Sequence, residues 1–411
     1  MPSPTPSPAP SPAPSPAPST TSTPSAFDRL RALLAGIPAP AGVTPIPLHL
    51  GEARLVTPPV DGRLLGDVTG WTRYPPLGGT PELRAAYTGW LERRFGAHLG
   101  AAVREGSLAI EPSPGTKQAV AAAIALAVSA STPAVVLPNP FYPTYHAAVR
   151  AAGGRAIFYG HAPEAAAVAA RRDVAAVVVC SPGNPRGETH APGTVRAISA
   201  AARAAGALLI VDECYIDLVH GAPAGGGFLA SGLAGGAGRF LVLHSLSKRS
   251  GMPGLRSGFV IGDPGSVAAY ADYNRTCGVS LAAPVCAVAA RLWADDGHVA
   301  RLRSAVSANW DVADELLGEL AGYERAEAGF FLWFPVRDDE EAARRLWRAE
   351  AVTAMPGRYL GAATVRGANP GAGHLRIALV HEPDRTREAL TRVRRVLTEL
   401  DLLTTAEELT G

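Results

Sequence analysis

Between residues 108 and 262 the chain repeats a single pattern, in which a short and nearly continuous apolar run is followed by a polar turn. The runs are LAIEP, AVVLP, RAIFY, VAAVVVC, ALLIVD, RFLVLHS and GFVIG. Alanine-rich stretches with helical character, such as residues 118–128 and 194–205, separate several of them. Strands that are apolar along their whole length must be covered on both faces, so the alternation predicts an α/β fold. Its large domain has a mainly parallel seven-stranded sheet covered by helices. After about residue 280 the pattern lengthens into amphipathic helices, and GFFLWFPV, AVTAMPGRYLG and HLRIALV then predict a small sheet, hence a smaller α+β domain. Near the start, FDRLRALLAG has helical spacing from Phe27 and stops at Gly36.

These changes of pattern divide the chain. Residues 1–25 repeat proline with serine and alanine, can supply neither a backbone ladder nor a core, and are expected to be a disordered tail. Residues 26–62 are expected to pack with the small domain. The large domain is expected over residues 63–290 and the small C-terminal domain over residues 291–411. A length of 411 residues exceeds what one core usually serves, which agrees with two lobes sharing a cleft.

Composition narrows the partners. Hydrophobic residues make up 47% and charged residues 18%, and the formal charge is +2, so there is no electrostatic ground for a nucleic-acid or anionic-membrane partner. Cys180, Cys214, Cys277 and Cys286 are widely spaced, form no CxxC and sit in or beside apolar segments, which reads as buried free thiols rather than a metal site. No apolar run approaches the roughly 20 residues of a spanning helix, and the N-terminus lacks the basic start and apolar core of a secretory signal. The expectation is a cytoplasmic protein acting on small molecules.

Ligands of such sheets sit beyond the carboxyl ends of the strands. VVVCSPGNPRGE delivers Asn184 there, LLIVDECY delivers Asp212 and Tyr215, and FLVLHSLSK delivers Ser245 and Lys248. Asp212 follows four apolar residues and so needs a partner, either a cationic ligand group or, as a cap, a helix. In EPSPGTKQAVAAAIALAV, Gly115 and Thr116 open a helix whose free N–H groups suit an anion, although a simple cap has the same look. Arg376 lies inside the apolar run HLRIALV and demands a carboxylate, from a substrate or from the chain itself.

This constellation resembles the fold-type I aminotransferases, the pyridoxal-5′-phosphate (PLP) enzymes of the aspartate aminotransferase superfamily, over about residues 26–396. The lysine-to-arginine spacing in SLSKRSGMPGLRSG is its strongest motif. The resemblance implies that Lys248 joins the cofactor aldehyde and then carries protons, and that Asp212 pairs with the ring nitrogen. It also implies that Tyr215 and Asn184 reach the phenolic oxygen, while Gly115, Thr116, Ser245 and Arg256 hold the phosphate. Ser247 is a further phosphate ligand or a turn residue. Tyr142 stacks on the ring or is packed in the core. Arg376 takes the substrate α-carboxylate, Gly51 brings backbone close to the substrate, and Tyr74 crosses a subunit boundary, which implies a homodimer. Where the family reads Asn-Pro-Thr-Gly, this chain reads Asn184-Pro185-Arg186-Gly187.

Longer strings, including PNPFYPTY, DECY, FFLWFPV, PGRYLG and NPGAGHLRIALV, are similar to the N-succinyldiaminopimelate aminotransferases. That subgroup implies glutamate as amino donor and N-succinyl-2-amino-6-oxopimelate as keto acceptor. Its extra carboxylates call for further cations, for which Arg54, Arg73, Arg186 and Arg249 are candidates unless they are solvated or structural. The same apparatus also serves a different acceptor, or a lyase or cyclase reaction on an amino acid. An aminotransferase-like regulator would need a DNA-binding element, and the segment before Phe27 is too short and proline-rich to hold one.

Overall fold

The seven apolar runs pair into one sheet, since a strand without a polar face is stable only between two covering layers. The computed structural model describes residues 24–404 apart from 161, 170, 222–225, 233–235, 237, 365–366 and 400. The expected tail therefore lies outside the described residues, except for Pro24 and Ser25. Ser25 closes a capping box with Asp28 at the start of α1 (Ala26–Leu34), and β1 (Ile46–Pro47) follows.

The large sheet contains β2 (Ala109–Ser113), β3 (Ala134–Pro138), β4 (Arg155–Tyr159), β5 (Val174–Cys180), β6 (Leu208–Asp212), β7 (Phe240–Ser245) and β8 (Gly258–Gly262). Their order is β2-β8-β7-β6-β5-β3-β4. β8 runs against β2 and β7, whereas β7, β6, β5, β3 and β4 are mutually parallel. Alternate residues of each strand enter opposite cores. Val136, Val177, Leu209 and Val242 pack with α2 (Pro81–Phe95), α5 (Pro192–Ala204) and α7 (Ala283–Ala294). Val135, Val178, Ile210 and Leu243 pack on the other face with α3 (Thr116–Ala127) and α4 (Pro143–Ala151). Each such side chain gains about 1.5–3 kcal/mol by leaving water, which fixes both the layers and the strand register. The four-residue helix α6 (Leu246–Arg249) continues directly from β7.

A second core lies beneath α8 (Gly297–Leu317), α9 (Asp339–Glu350) and α10 (Pro383–Glu399). Its antiparallel sheet joins β9 (Phe331–Pro335), β11 (Met355–Pro356) and β12 (His374–Ala378) in the order β11-β12-β9. β10 (Val352–Thr353) pairs in parallel with β1, and Ile46, Leu48, Ala53 and Leu55 are buried in this second core. Ala26 and Leu30 of α1 pack on Met355, Tyr359 and Leu360. The border drawn at residue 290 falls inside α7, which packs on the large sheet's side.

Against the expectation of four buried thiols, Cys277 is exposed, because it caps a helix end rather than continuing an apolar face, and Cys214, beside the cleft, is only half-buried. Among the described residues no helix is long and apolar enough to cross a membrane.

Candidate active site

The polar ends of β5, β6 and β7 and the inner edge of β12 meet across a cleft of about 240 Å³. Asp212, 4% exposed, ends β6. Its Oδ2 accepts from the Tyr145 hydroxyl at 2.7 Å and its Oδ1 from the Cys214 backbone N–H at 3.1 Å. Both donors are neutral, and among the described residues no cationic side chain forms an ion pair with this buried carboxylate. Below it the neighbouring residues turn the other way. Glu213 accepts from the Phe228 N–H and pairs with His244 Nε2 at 2.9 Å, and His244 Nδ1 meets the Tyr87 hydroxyl at 2.7 Å.

Lys248 stands in α6, and Ser245 caps that helix by accepting from the Ser247 N–H at 3.1 Å. The Lys248 ammonium donates to the Gly51 carbonyl. Loss of hydration, aided by repulsion from Arg376, pulls its pKa down to about 8. Gly51 tolerates no side chain, since a Cβ would come within 2.5 Å of Phe331. Tyr215 is buried 5.8 Å from the Lys248 amine, measured to the ring centre, and burial raises its hydroxyl pKa well above normal. Tyr142 begins α4 on the cleft wall.

An anion cradle lies at the start of α3. Gly115 precedes that helix at φ +90° and no side chain caps its N–H groups. A Cβ on Gly115 would lie 2.9 Å from Arg256 Nη2, so glycine is what lets the guanidinium approach. Arg256 is held in place by the carbonyls of Pro253 and Pro114, at 2.8 and 2.9 Å. Thr116 Oγ1 contacts Cys214 Sγ at 2.8 Å. Ser247 faces the cleft, whereas Ser245 is buried beneath it as the helix cap.

Arg376 enters from the opposite wall. It is 3% exposed and donates to Asn184 Oδ1 at 3.1 Å and to the His49 carbonyl at 3.0 Å, and its guanidinium lies 4.1 Å above the Phe331 ring. Its Nε has no partner, no carboxylate pairs with it among the described residues, and burial lowers its pKa to about 10. A buried cation and a buried anion, each without a counter-charge, thus flank one amine. These groups fit PLP and an amino acid: an anion cradle, a carboxylate for a ring nitrogen and a guanidinium for a substrate carboxylate.

The family model for class I and II aminotransferases matches residues 52–393. The chain belongs to this family. Class I and II aminotransferases are PLP-dependent transaminases that move an amino group from a donor to a keto acceptor. This aminotransferase is 32% identical to the 4-dedimethylamino-4-oxo-anhydrotetracycline transaminase OxyQ of Streptomyces rimosus, over 84% of this chain and 92% of that one. It is 28% identical to the LL-diaminopimelate aminotransferase of Syntrophobacter fumaroxidans, over 90% and 94%. The crystal structure of an aminotransferase from Neisseria meningitidis superposes with a TM-score of 0.81 at 30% identity, covering 92% of this chain and 98% of that one.

Other expected residues of the aminotransferase lie elsewhere. Tyr74 is fully exposed on a strip with Val68, Trp71 and Leu77 and does not enter its own chain's cleft. Arg249 turns away from the cleft and pairs with Asp217 and Asp296. Arg54 pairs with Glu52 at the rim, Arg186 lies behind Asn184 near Glu188, and Arg73 is exposed outside the cleft. Sequence reasoning missed Tyr145, Cys214, Phe331 and Phe27, all of which line the cleft. Tyr145 had a signal, standing one helical turn after Tyr142, so both rings share a face of α4.

Proposed function

We propose that this chain carries out its amino transfer with Lys248 as proton carrier, Asp212 as counter-charge to the pyridine nitrogen and Arg376 as the α-carboxylate receptor. The bound cofactor supplies an electron sink for the substrate's Cα. Asp212, already fixed by Tyr145 and Cys214, keeps the ring nitrogen protonated. Asn184 accepts from Arg376 through Oδ1 and so turns its amide N–H groups toward the cleft, where with the Tyr215 hydroxyl they reach the phenolic oxygen. Gly115, Thr116, Ser247 and Arg256 hold the phosphate with Ser245 in support, Tyr142 backs the ring, and Gly51 leaves room for the substrate. The pairing of an uncompensated Asp212 with an uncompensated Arg376 about Lys248 carries this reading.

Glutamate is the proposed donor. Adding it alone to the yellow holoenzyme should convert the cofactor to its amino form and release 2-oxoglutarate. Release of ammonia or pyruvate from substituted amino acids, without that half-reaction, would sink the assignment in favour of a lyase.

The neutral amine is the form that reacts with the cofactor aldehyde. A Lys248 pKa lowered to about 8 leaves it mostly neutral above that pH and protonated below. Capture of PLP by the cofactor-free protein should therefore accelerate as pH rises through about 8 and then level off, followed by absorbance in stopped flow. A plateau reached only above pH 10 would show that the site does not lower this pKa.

N-succinyl-2-amino-6-oxopimelate is one proposed acceptor, supported by the strings shared with that subgroup and by the diaminopimelate-named relative. A second reading is favoured by the mouth of the cleft. An open groove of about 600 Å³ continues from the cleft through Phe27 and Leu50 and is walled by Leu30, Leu34, Ile37 and Trp347. Its cation, Arg31, pairs with Asp28, and Arg54 is engaged by Glu52. That lining suits a ketone with a bulky apolar body, the kind of molecule for which OxyQ is named, better than a chain of carboxylates. Enzyme in its amino form, offered both acceptor classes, decides between them by which one restores the yellow form.

A homodimer is proposed from the strip Val68, Trp71, Tyr74 and Leu77, with Tyr74 reaching the partner's phosphate cradle. Apolar side chains with 51–101% exposure in one short segment mark a surface made to be covered. Trp71→Asp should yield a monomer by light scattering and release PLP more readily than the parent. A dimer that survives this change with unaltered cofactor affinity would place the interface elsewhere.

A further inference from the structure

Arg249 leads to a second cavity, of about 110 Å³, that shares no residue with the cleft. Its walls bring Arg93 and Arg94 from α2, Asp217 from the turn after Tyr215, Arg249 from α6, and Asp296 and Arg303 from α8 and its cap. Four guanidinium groups thus face two carboxylates, an excess of two positive charges. The carboxylates are already shared. Asp296 pairs with Arg93 at 2.7 Å and with Arg249 at 2.5 Å, and Asp217 pairs with Arg94 at 3.1 Å and with Arg249 at 3.2 Å. Arg303 has no ion pair among the described residues. Arg249, with 3% of its side chain exposed, keeps an Nη1 that has no acceptor. A buried guanidinium N–H costs free energy until something accepts from it, and surplus positive charge selects an anion to do so.

We propose that this cavity binds a phosphate-sized oxyanion, held by Arg249 and Arg303 with Arg93 and Arg94 alongside. Guanidinium groups suit that ligand because their paired N–H donors match two oxygens of a tetrahedral anion. The site lies behind the lysine that performs the chemistry, where α6 is already tied to α8 by His298, which contacts Ser250 at 2.8 Å and Asp295 at 2.9 Å. An anion there would join α2 and α6 of the large sheet's layer to the helix that runs into the second core. The inference is independent of which acceptor the cleft takes.

The test is calorimetric titration of inorganic phosphate, and separately sulfate, into the PLP-loaded protein at constant ionic strength, so that the cofactor's own phosphate cradle is filled. Saturable binding of one anion per chain is expected. Arg303→Gln should weaken it about tenfold or more, the loss expected for one charged hydrogen bond. Asp296→Asn should tighten it, because the variant removes the carboxylate that competes for Arg93 and Arg249. Absence of saturable binding, or an affinity that both variants leave unchanged, would overturn the proposal and leave an adventitious ion only. If Asp296→Asn does not fold, the half-buried Arg303 position decides alone.

Discussion

Replacing Lys248 with alanine is expected to cut amino transfer by roughly 10²- to 10⁴-fold, the range over which one positioned proton carrier acts. The variant should remain folded. The side chain it loses is a poorly hydrated amine whose hydrogen bond runs to a single carbonyl, so removing it creates no unpaired charge. The readouts are the absorbance of the PLP-bound protein, which should lose its lysine-linked band, and single-turnover release of 2-oxoglutarate. Transamination at the parental rate would show that another group moves the proton, and with that the assignment of the whole cleft would fall.

Arg376→Lys is expected to have the second-largest effect. It keeps the charge but gives up the flat fork that now spans Asn184 and the His49 carbonyl and stacks on Phe331. Truncating a buried, hydrogen-bonded charge costs about 2–5 kcal/mol, so kcat/KM for glutamate should fall by roughly 30-fold to several thousandfold. Binding of PLP itself should weaken far less, since the groups proposed for the phosphate and the ring nitrogen are unaltered and only Asn184 loses its orienting donor. The split between lost donor kinetics and retained cofactor affinity is the measurement that matters. Equal loss of both would mean that Arg376 supports the fold rather than the substrate.

Much of this arrangement could be read before any coordinates. Strands of a parallel sheet are buried on both sides, so VAAVVVC and RFLVLHS announce themselves as unbroken apolar runs, and both are buried throughout in β5 and β7. The residues that end such a run or follow it closely leave the core at the carboxyl edge, which is why Asp212, ending β6, and Lys248, three residues past β7, could be placed there, while their roles came from the family resemblance. Arg376 could be noticed because a cation inside an apolar strand is costly.

What could not be read depends on contacts distant in sequence. Tyr145 reaches Asp212 across 67 positions, because α4 packs on the face of the sheet that β6 also serves. β1 and β10 are two residues each and pair over some three hundred, with no periodicity to signal them. Arg249 looks like a candidate for the cleft because it follows Lys248, but successive residues of a helix point about 100° apart and it turns to the opposite side. Tyr74 stands exposed outside its own chain's cleft, and its proposed reach into a partner's phosphate cradle is a contact that spacing within one chain does not carry.

The wall proposed to meet the acceptor and the wall proposed to move the proton have largely separate supports. Phe27 and Trp347 hang from α1 and α9, whereas Asp212 and Lys248 grow from the central strands; Leu50 alone sits on the strap whose His49 and Gly51 carbonyls hold Arg376 and Lys248. On the proposed reading of the groove, drift at Phe27 and Trp347 recuts what the enzyme accepts without retuning the reaction, so a lineage built on this scaffold can acquire new substrates while its chemistry stands still.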